Sequence, residues 1–112
     1  MAVTGGRLQA LQKLLDSGRD DALLRYSLGN EWLSAAEPAE AVPHLRRAVE
    51  LDPGYSAAWK LLGRALTDTG DSEGAATAYR CGIEVAEERG DKQAAKEMGV
   101  FLRRIEKAAV GD

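Results

Sequence analysis

Apolar side chains recur at helical spacing through the middle of this chain. Trp59, Leu62 and Leu66 fall on one face of a helix, because they stand three and then four positions apart. Gly70 is suited to ending that helix, and Asp71 to capping a following one. This stretch therefore predicts two antiparallel helices whose apolar faces pack against each other.

The same pattern occurs twice at a fixed interval. Leu28-Gly29 lies 34 residues before Leu62-Gly63. Further pairs follow at that interval, namely Trp32 and Leu66, Ala41 and Ala75, and Leu45 and Tyr79. The interval and the residue types resemble the tetratricopeptide repeat, whose period is about 34 residues. Three departures from the usual motif are Arg25, where a Trp is usual, Ala36-Glu37, where Gly-Asp is usual, and Glu87, where a Pro usually ends the repeat.

The resemblance implies an all-α fold, a right-handed superhelix of antiparallel helical hairpins with about six helices. Aligning Met98-Gly99 with Leu62-Gly63 requires an interval of 36 residues rather than 34, which a longer preceding helix would absorb. The predicted division of the chain is a flexible N-terminus (1–6), a half repeat or cap helix (7–18), repeat one (22–55), repeat two (56–90), a C-terminal capping helix (91–109) and a tail (110–112). Residues 7–109 thus form one domain.

Two local features leave alternatives open. Either Asp20 or Asp21 can cap the helix that begins repeat one. Pro43 falls inside the second helix of that repeat, where it forfeits a backbone hydrogen bond, so either a distorted first turn or a kink is expected.

The composition adds limits on function. A net charge of −3 argues against general nucleic-acid binding, which needs a basic surface. The single cysteine, Cys81, cannot form an internal disulfide. There is no apolar run of the roughly 20 residues that a membrane span needs, and the start has no hydrophobic signal core. We therefore expect a cytoplasmic protein that does not bind membranes.

Candidate chemistry is sparse. The sequence carries none of the common phosphate-binding, dinucleotide-binding or metal-binding motifs. Its only histidine, His44, has no second histidine and no nearby cysteine with which to bind a metal. We predict no catalytic residues, no metal site and no cofactor.

The resemblance also implies where a partner would bind, because the first helices of tetratricopeptide repeats line a concave groove that holds extended peptides. The positions of this sequence on that face are Leu23, Tyr26, Asn30 and Leu33 in the first repeat, Lys60, Arg64 and Thr67 in the second, and Gln93, Lys96 and Arg103 on the last helix. This predicts a groove that is apolar at one end and cationic at the other, suited to an acidic or carboxylate-ended peptide.

Some family members clamp a terminal carboxylate with Lys, Asn and Arg side chains on first helices. Asn30 matches one such position, whereas Tyr26 and Leu61 replace the Lys and Asn at two others. An ordinary solvated surface is the alternative interpretation of the basic residues.

Two functions remain in competition. The first is a non-enzymatic adaptor or scaffold that binds a peptide or a partner protein. The second is a self-associating structural module in which Val100, Phe101 and Ile105 of the last helix pack on another copy. A monomer is more expected than a homodimer, and sizing by light scattering would separate the two.

Overall fold

The computed structural model describes residues 6–110 and is built from helices. Their bounds are α1 (Gly6–Asp16), α2 (Ala22–Ser34), α3 (Pro38–Leu51), α4 (Ser56–Asp68), α5 (Ser72–Glu88) and α6 (Lys92–Val110). Each helix packs against the next one in the chain, and α4 also contacts α2 and α6. The order therefore comprises two hairpins, α2/α3 and α4/α5, flanked by α1 and α6.

Helix boundaries follow the capping residues. The Asp21 carboxylate, rather than that of Asp20, accepts a hydrogen bond from the Leu24 backbone N–H at 2.8 Å. Asp71 caps α5 in the same way, accepting from the Gly74 N–H at 2.9 Å. Such caps satisfy backbone donors that the first turn leaves without partners.

The chain leaves three of the helices through a residue in the left-handed region. Gly18, Gly70 and Gly90 have φ values of 104°, 89° and 76°, which glycine adopts without steric cost. After α2 the equivalent position is Ala36, whose φ of 60° is uncommon for a residue with a Cβ atom. The turn geometry is thus kept although the glycine is absent.

The predicted boundaries differ from the structure in small respects. Gly6, expected in a flexible terminus, begins α1, and α6 continues to Val110. The rest of the predicted N-terminal segment (1–5) and the last two residues (111–112) lie outside the described residues. Helix α3 runs without a break from Pro38 to Leu51, so Pro43 does not end it.

The core forms two clusters. A small one joins Leu8 of α1 to Leu24 and Leu28 of α2. The larger one extends from α2 to α6 and ends at Met98, which is 1% exposed. Close helix packing in the hairpins is possible because Gly29 lies against the Leu45 side chain and Gly63 against the Tyr79 ring.

Both tryptophans, predicted as core residues, are only partly buried. Trp59 donates its indole N–H to the Pro53 carbonyl at 2.8 Å. Trp32 packs against both clusters, and its buried indole N–H has no hydrogen-bond acceptor among residues 6–110. The two side chains therefore sit at the edges of the core, each with a different environment.

Candidate functional site

The first helices of the successive repeats, α2, α4 and α6, form one side of the molecule. Their direct contacts, α2 with α4 and α4 with α6, show that these three helices converge there. Helix α4 lies in the middle, so side chains on its outer face are flanked by α2 on one side and by α6 on the other. We refer to this side as the first-helix face.

A cavity of about 400 Å³ opens on this face between α4 and α6. Its lining comprises Lys60, Leu61, Arg64, Thr67, Asp68, Tyr79 and Phe101. The rings of Tyr79 and Phe101 lie against each other with centroids 5.6 Å apart. The cavity therefore has an aromatic and aliphatic wall with charged side chains around it, an arrangement typical of sites that take one apolar side chain.

The charged groups at this cavity are already paired. The Lys60 ammonium lies 2.7 Å from a Glu97 carboxylate oxygen and so links α4 to α6. The hydrogen bond from Lys60, assisted by one from Gln93 at 3.2 Å, lowers the pKa of Glu97. The Arg64 guanidinium approaches Asp68 only at 3.9 Å, and its side chain is 63% exposed. Of Lys60 and Arg64, Arg64 thus has the weaker ion pair, and a ligand carboxylate can displace its partner more easily.

Thr67 is the third predicted residue at this cavity. Its hydroxyl donates to the Gly63 carbonyl at 2.8 Å, one turn back along α4. The side chain therefore already has an internal acceptor, and its methyl group and oxygen lone pairs remain to face a ligand.

The α2 end of the face is apolar. Leu23 is 59% exposed. Tyr26 stacks on Tyr55 with ring centroids 4.9 Å apart, and burial together with Tyr26 raises the pKa of Tyr55. Asn30 is exposed on the same helix. These side chains form an apolar and aromatic surface with one exposed amide.

Leu33 corrects one sequence-based assignment. It was predicted on the open face, but it is 7% exposed and belongs to the large core cluster. The reason is that α2 has neighbours on several sides, since α1, α3 and α4 all contact it. Leu33 is therefore not available to a ligand.

On α6 the predicted residues lie in different settings. Gln93, Lys96 and Arg103 are all exposed, and the Gln93 amide also donates a hydrogen bond to Glu97. The Arg104 guanidinium lies 5.8 Å from the centroid of the Phe101 ring, within the range of a cation–π contact. The structure thus gathers Lys60, Arg64 and Thr67 at one cavity, without Gln93, Lys96 or Arg103 among its lining residues.

Sequence reasoning missed four residues of the cavity wall, namely Leu61, Asp68, Tyr79 and Phe101. Tyr79 was expected only as a core residue, and Phe101 only as a surface for self-association. Phe101 and Ile105 instead pack against the large core cluster. The helical spacing of Leu61 with Arg64 and Asp68, three and seven positions on, was a signal that could have found two of the four.

Within residues 6–110 there is no group of three or more His, Cys, Asp or Glu side chains placed to hold a metal ion. In the same range, no helix has the length and apolar character needed to cross a membrane.

Comparison with known proteins decides the family. A family model for the tetratricopeptide repeat matches residues 33–80. A tetratricopeptide repeat-containing protein of Pseudomonas aeruginosa, PA0015, is 50% identical over 101 residues, which cover 90% of this chain and 96% of that protein. The chain belongs to the tetratricopeptide repeat family.

Solved structures agree with the tetratricopeptide repeat assignment. The solution structure of protein BPP2914 from Bordetella parapertussis has a TM-score of 0.79 at 41% identity, covering 93% of this chain and 90% of that one. A tetratricopeptide repeat domain from Salinibacter ruber gives a TM-score of 0.71 at 28% identity, over 79% of this chain and 89% of that one. The predicted all-α, right-handed superhelix of antiparallel hairpins is confirmed.

A more distant relative is the heat-shock protein cognate co-chaperone sgt12 of Aspergillus fumigatus. It is 37% identical over 86 residues, which are 77% of this chain but only 24% of that protein. Tetratricopeptide repeats generally mediate protein–protein interactions and are generally non-enzymatic. The functional class of this chain is therefore that of an interaction module.

Proposed function

We propose that this tetratricopeptide repeat protein is a cytoplasmic adaptor that holds an extended, acidic or carboxylate-ended segment of a partner protein on its first-helix face. The observation that carries the proposal is the cavity of about 400 Å³ between α4 and α6. It combines an apolar wall with a cation, Arg64, whose own partner is distant. Such a combination suits an apolar side chain that sits close to a carboxylate.

The division of labour follows from the contacts. Leu61, Tyr79 and Phe101 would surround the apolar side chain of the ligand, and burial of that side chain would supply most of the binding energy. Arg64 would turn from Asp68 to the ligand carboxylate and form a charge-assisted hydrogen bond. Lys60 would keep its bond to Glu97 and hold α4 and α6 at the spacing that keeps the cavity open.

The α2 end would hold the rest of the segment. Leu23 and the Tyr26–Tyr55 pair offer an apolar and aromatic surface. Asn30, exposed beside them, has both a donor and an acceptor for the backbone of an extended peptide. The cavity would thus select the ligand, and the α2 surface would hold the remaining residues of the extended segment.

The test uses fluorescence anisotropy with a set of labelled peptides that end in Leu or Phe after two or three acidic residues, each made as a free acid and as an amide. The double variant Arg64→Glu with Arg103→Glu should lose at least tenfold in affinity, because two attractive charges become repulsive. The matched control is the double variant Lys13→Glu with Arg46→Glu, at exposed positions of α1 and α3, which makes the same change in net charge and should bind as the wild type does.

Two results would contradict the proposal. Equal loss of binding in the Lys13/Arg46 control would mean that net charge, not the first-helix face, governs affinity. Unchanged peptide binding in the Arg64/Arg103 double variant would contradict the proposed cationic groove. Circular dichroism on all three proteins excludes a folding defect as the cause.

A further inference from the structure

Helix α6 corresponds in register to the first helix of a repeat, and within residues 6–110 no second helix follows it. In α2, α4 and α6 the same pair recurs, a deeply buried side chain followed by glycine, as Leu28-Gly29, Leu62-Gly63 and Met98-Gly99. In the two hairpins the space beside the glycine is filled by the second helix, through Leu45 at Gly29 and Tyr79 at Gly63. Among residues 6–110, and apart from the neighbouring residues and backbone of α6 itself, only the Arg103 guanidinium comes within 4 Å of a Cβ added at Gly99, at 3.5 Å. We call this open surface the Gly99 seat.

Helix α1 corresponds in register to the second helix of a repeat, and within residues 6–110 no first helix precedes it. Leu11 and Leu14 stand 34 residues before Leu45 and Ala48. Both residues of α3 are fully buried, at 0% exposure, because a first helix packs on either side of them. Leu11, by contrast, is only half-buried and Leu14 is 39% exposed. The exposed face of α1 is therefore the face that a preceding first helix would cover.

We propose that copies of this chain associate head to tail, with α1 of one copy packed on the Gly99 seat of the next. Leu11 would fill the space beside Gly99 as Leu45 and Tyr79 do in the hairpins, and Leu14 would lie beside the first turn of α6. The contact repeats the α2/α3 and α4/α5 interfaces that the molecule already contains. A second copy is thus the occupant whose surface has the required register.

Charged side chains would stabilise the antiparallel contact between α1 and α6 of the next copy at one end and oppose it at the other. With Leu11 over Gly99, Asp16 at the end of α1 approaches Lys92 and Lys96 at the start of α6. Arg7, at the other end, approaches Arg103 and Glu106. In the hairpins the position of Arg7 is an alanine, Ala41 or Ala75. The association is therefore weak, and it strengthens when Arg7 is removed.

The two surfaces are different, so the interface is heterologous. Such contacts leave one free seat and one free α1 at the ends of every assembly, and they build open chains unless the rotation closes a ring. The first-helix faces of successive copies would then follow one another. This inference does not depend on the peptide proposed above, and its test uses no peptide.

Sedimentation velocity across a wide concentration range provides the test. The wild type should rise in average mass with concentration, and Arg7→Ala should do so at a lower concentration. Arg7 is 72% exposed and within residues 6–110 pairs only with Glu31, so its loss should leave the fold intact. Gly99→Leu and Leu14→Glu should each abolish the rise, because one blocks the seat and the other puts a charge on α1.

A mixing experiment identifies the geometry. Gly99→Leu keeps a normal α1 and Leu14→Glu keeps a normal seat, so an equimolar mixture should form a one-to-one dimer although each variant alone is a monomer. Leu51→Glu, which charges a leucine of α3 that is 38% exposed, is the control and should associate like the wild type. A wild type and an Arg7→Ala variant that both stay monomeric at millimolar concentration would overturn the proposal. A mixture that forms no dimer would overturn it as well.

Discussion

At the scale of single residues, the close approach of α4 and α5 depends on Gly63. A methyl group on Gly63 would lie 2.5 Å from an atom of the Tyr79 ring, closer than Cβ atoms are found to neighbours. Tyr79 is 3% exposed and packs on Phe101, so its ring has little room to move. The glycine therefore sets the distance between α4 and α5.

We expect Gly63→Ala to lower the free energy of unfolding by about 1–3 kcal/mol through overpacking. Gly99→Ala is the matched control, because it makes the same change at the equivalent position of α6. Because, among residues 6–110, an added Cβ would meet only the flexible end of Arg103 at an ordinary contact distance, this substitution should raise stability by up to about 1 kcal/mol through helix propensity. Urea unfolding followed by circular dichroism measures both, and equal effects of the two substitutions would refute the packing argument.

Sequence analysis predicted the burial of some residues correctly and of Leu33 incorrectly. The difference lies in how many helices surround each residue. Leu28, Leu45 and Leu62 lie where two helical faces meet, and helical spacing identifies such positions directly. Leu33 lies on a helix that is covered on several sides, so spacing alone does not tell which of its apolar residues stays exposed.

At the scale of elements, helix boundaries were predictable because the capping chemistry is local. Asp21, Asp71 and Asp91 each accept a hydrogen bond from a backbone N–H three residues on. The position of α6 was harder to predict from the sequence, since it depends on the longer interval after α5. Met98 nevertheless occupies the interior place predicted from that interval.

The turn between α2 and α3 offers a test at this scale. Ala36 has φ of 60°, a conformation that costs a residue with a Cβ atom about 1–2 kcal/mol. Ala36→Gly removes that strain but increases the freedom of the unfolded chain, which offsets about 0.4–1 kcal/mol. We expect a net gain of about 0.5–1 kcal/mol in unfolding free energy.

Thermal unfolding by calorimetry measures this gain, and the reverse change at the matched turn, Gly70→Ala, is the control. Gly70 has φ of 89° and open space beside it, so only backbone strain opposes the substitution. Gly70→Ala should therefore lower the transition temperature while Ala36→Gly raises it. A shift of the same sign in both would contradict the interpretation.

At the scale of the whole molecule, the cavity could not be predicted in advance. Its wall combines Leu61 of α4, Tyr79 of α5 and Phe101 of α6, and these meet only through the superhelical arrangement. Sequence analysis located the cationic residues of α4 but not the apolar wall, because it treated each helix face separately.

Stability as a function of pH reports on a contact between α2 and α3. His44 Nδ1 lies 3.1 Å from the Arg25 guanidinium, and burial, followed by the charge of Arg25, lowers the pKa of His44. Glu40 and Asp20 act in the opposite direction, but the net shift is downward. The unfolded chain therefore binds a proton at His44 more readily than the folded one does.

It follows that the stabilising effect of neutral His44 is complete above the ordinary histidine pKa of about 6.5. It is lost as the pH falls from there through the lower folded value. His44 is the only histidine of the chain. Urea midpoints measured at about pH 7.5 and about pH 5.5, roughly 1 unit above and below the ordinary histidine pKa, therefore isolate its effect. His44→Gln should remove most of the difference between the two midpoints, and an unchanged difference would assign it elsewhere.

Trp32 joins the two clusters, since it packs against both, whereas Trp59 packs against the larger one. Detachment of the opening helix would consequently alter the surroundings of one indole and spare those of the other. Two single-tryptophan variants would thus separate the two events by their intrinsic fluorescence. Trp32 would report fraying at the amino end, and Trp59 would report unfolding of the whole domain.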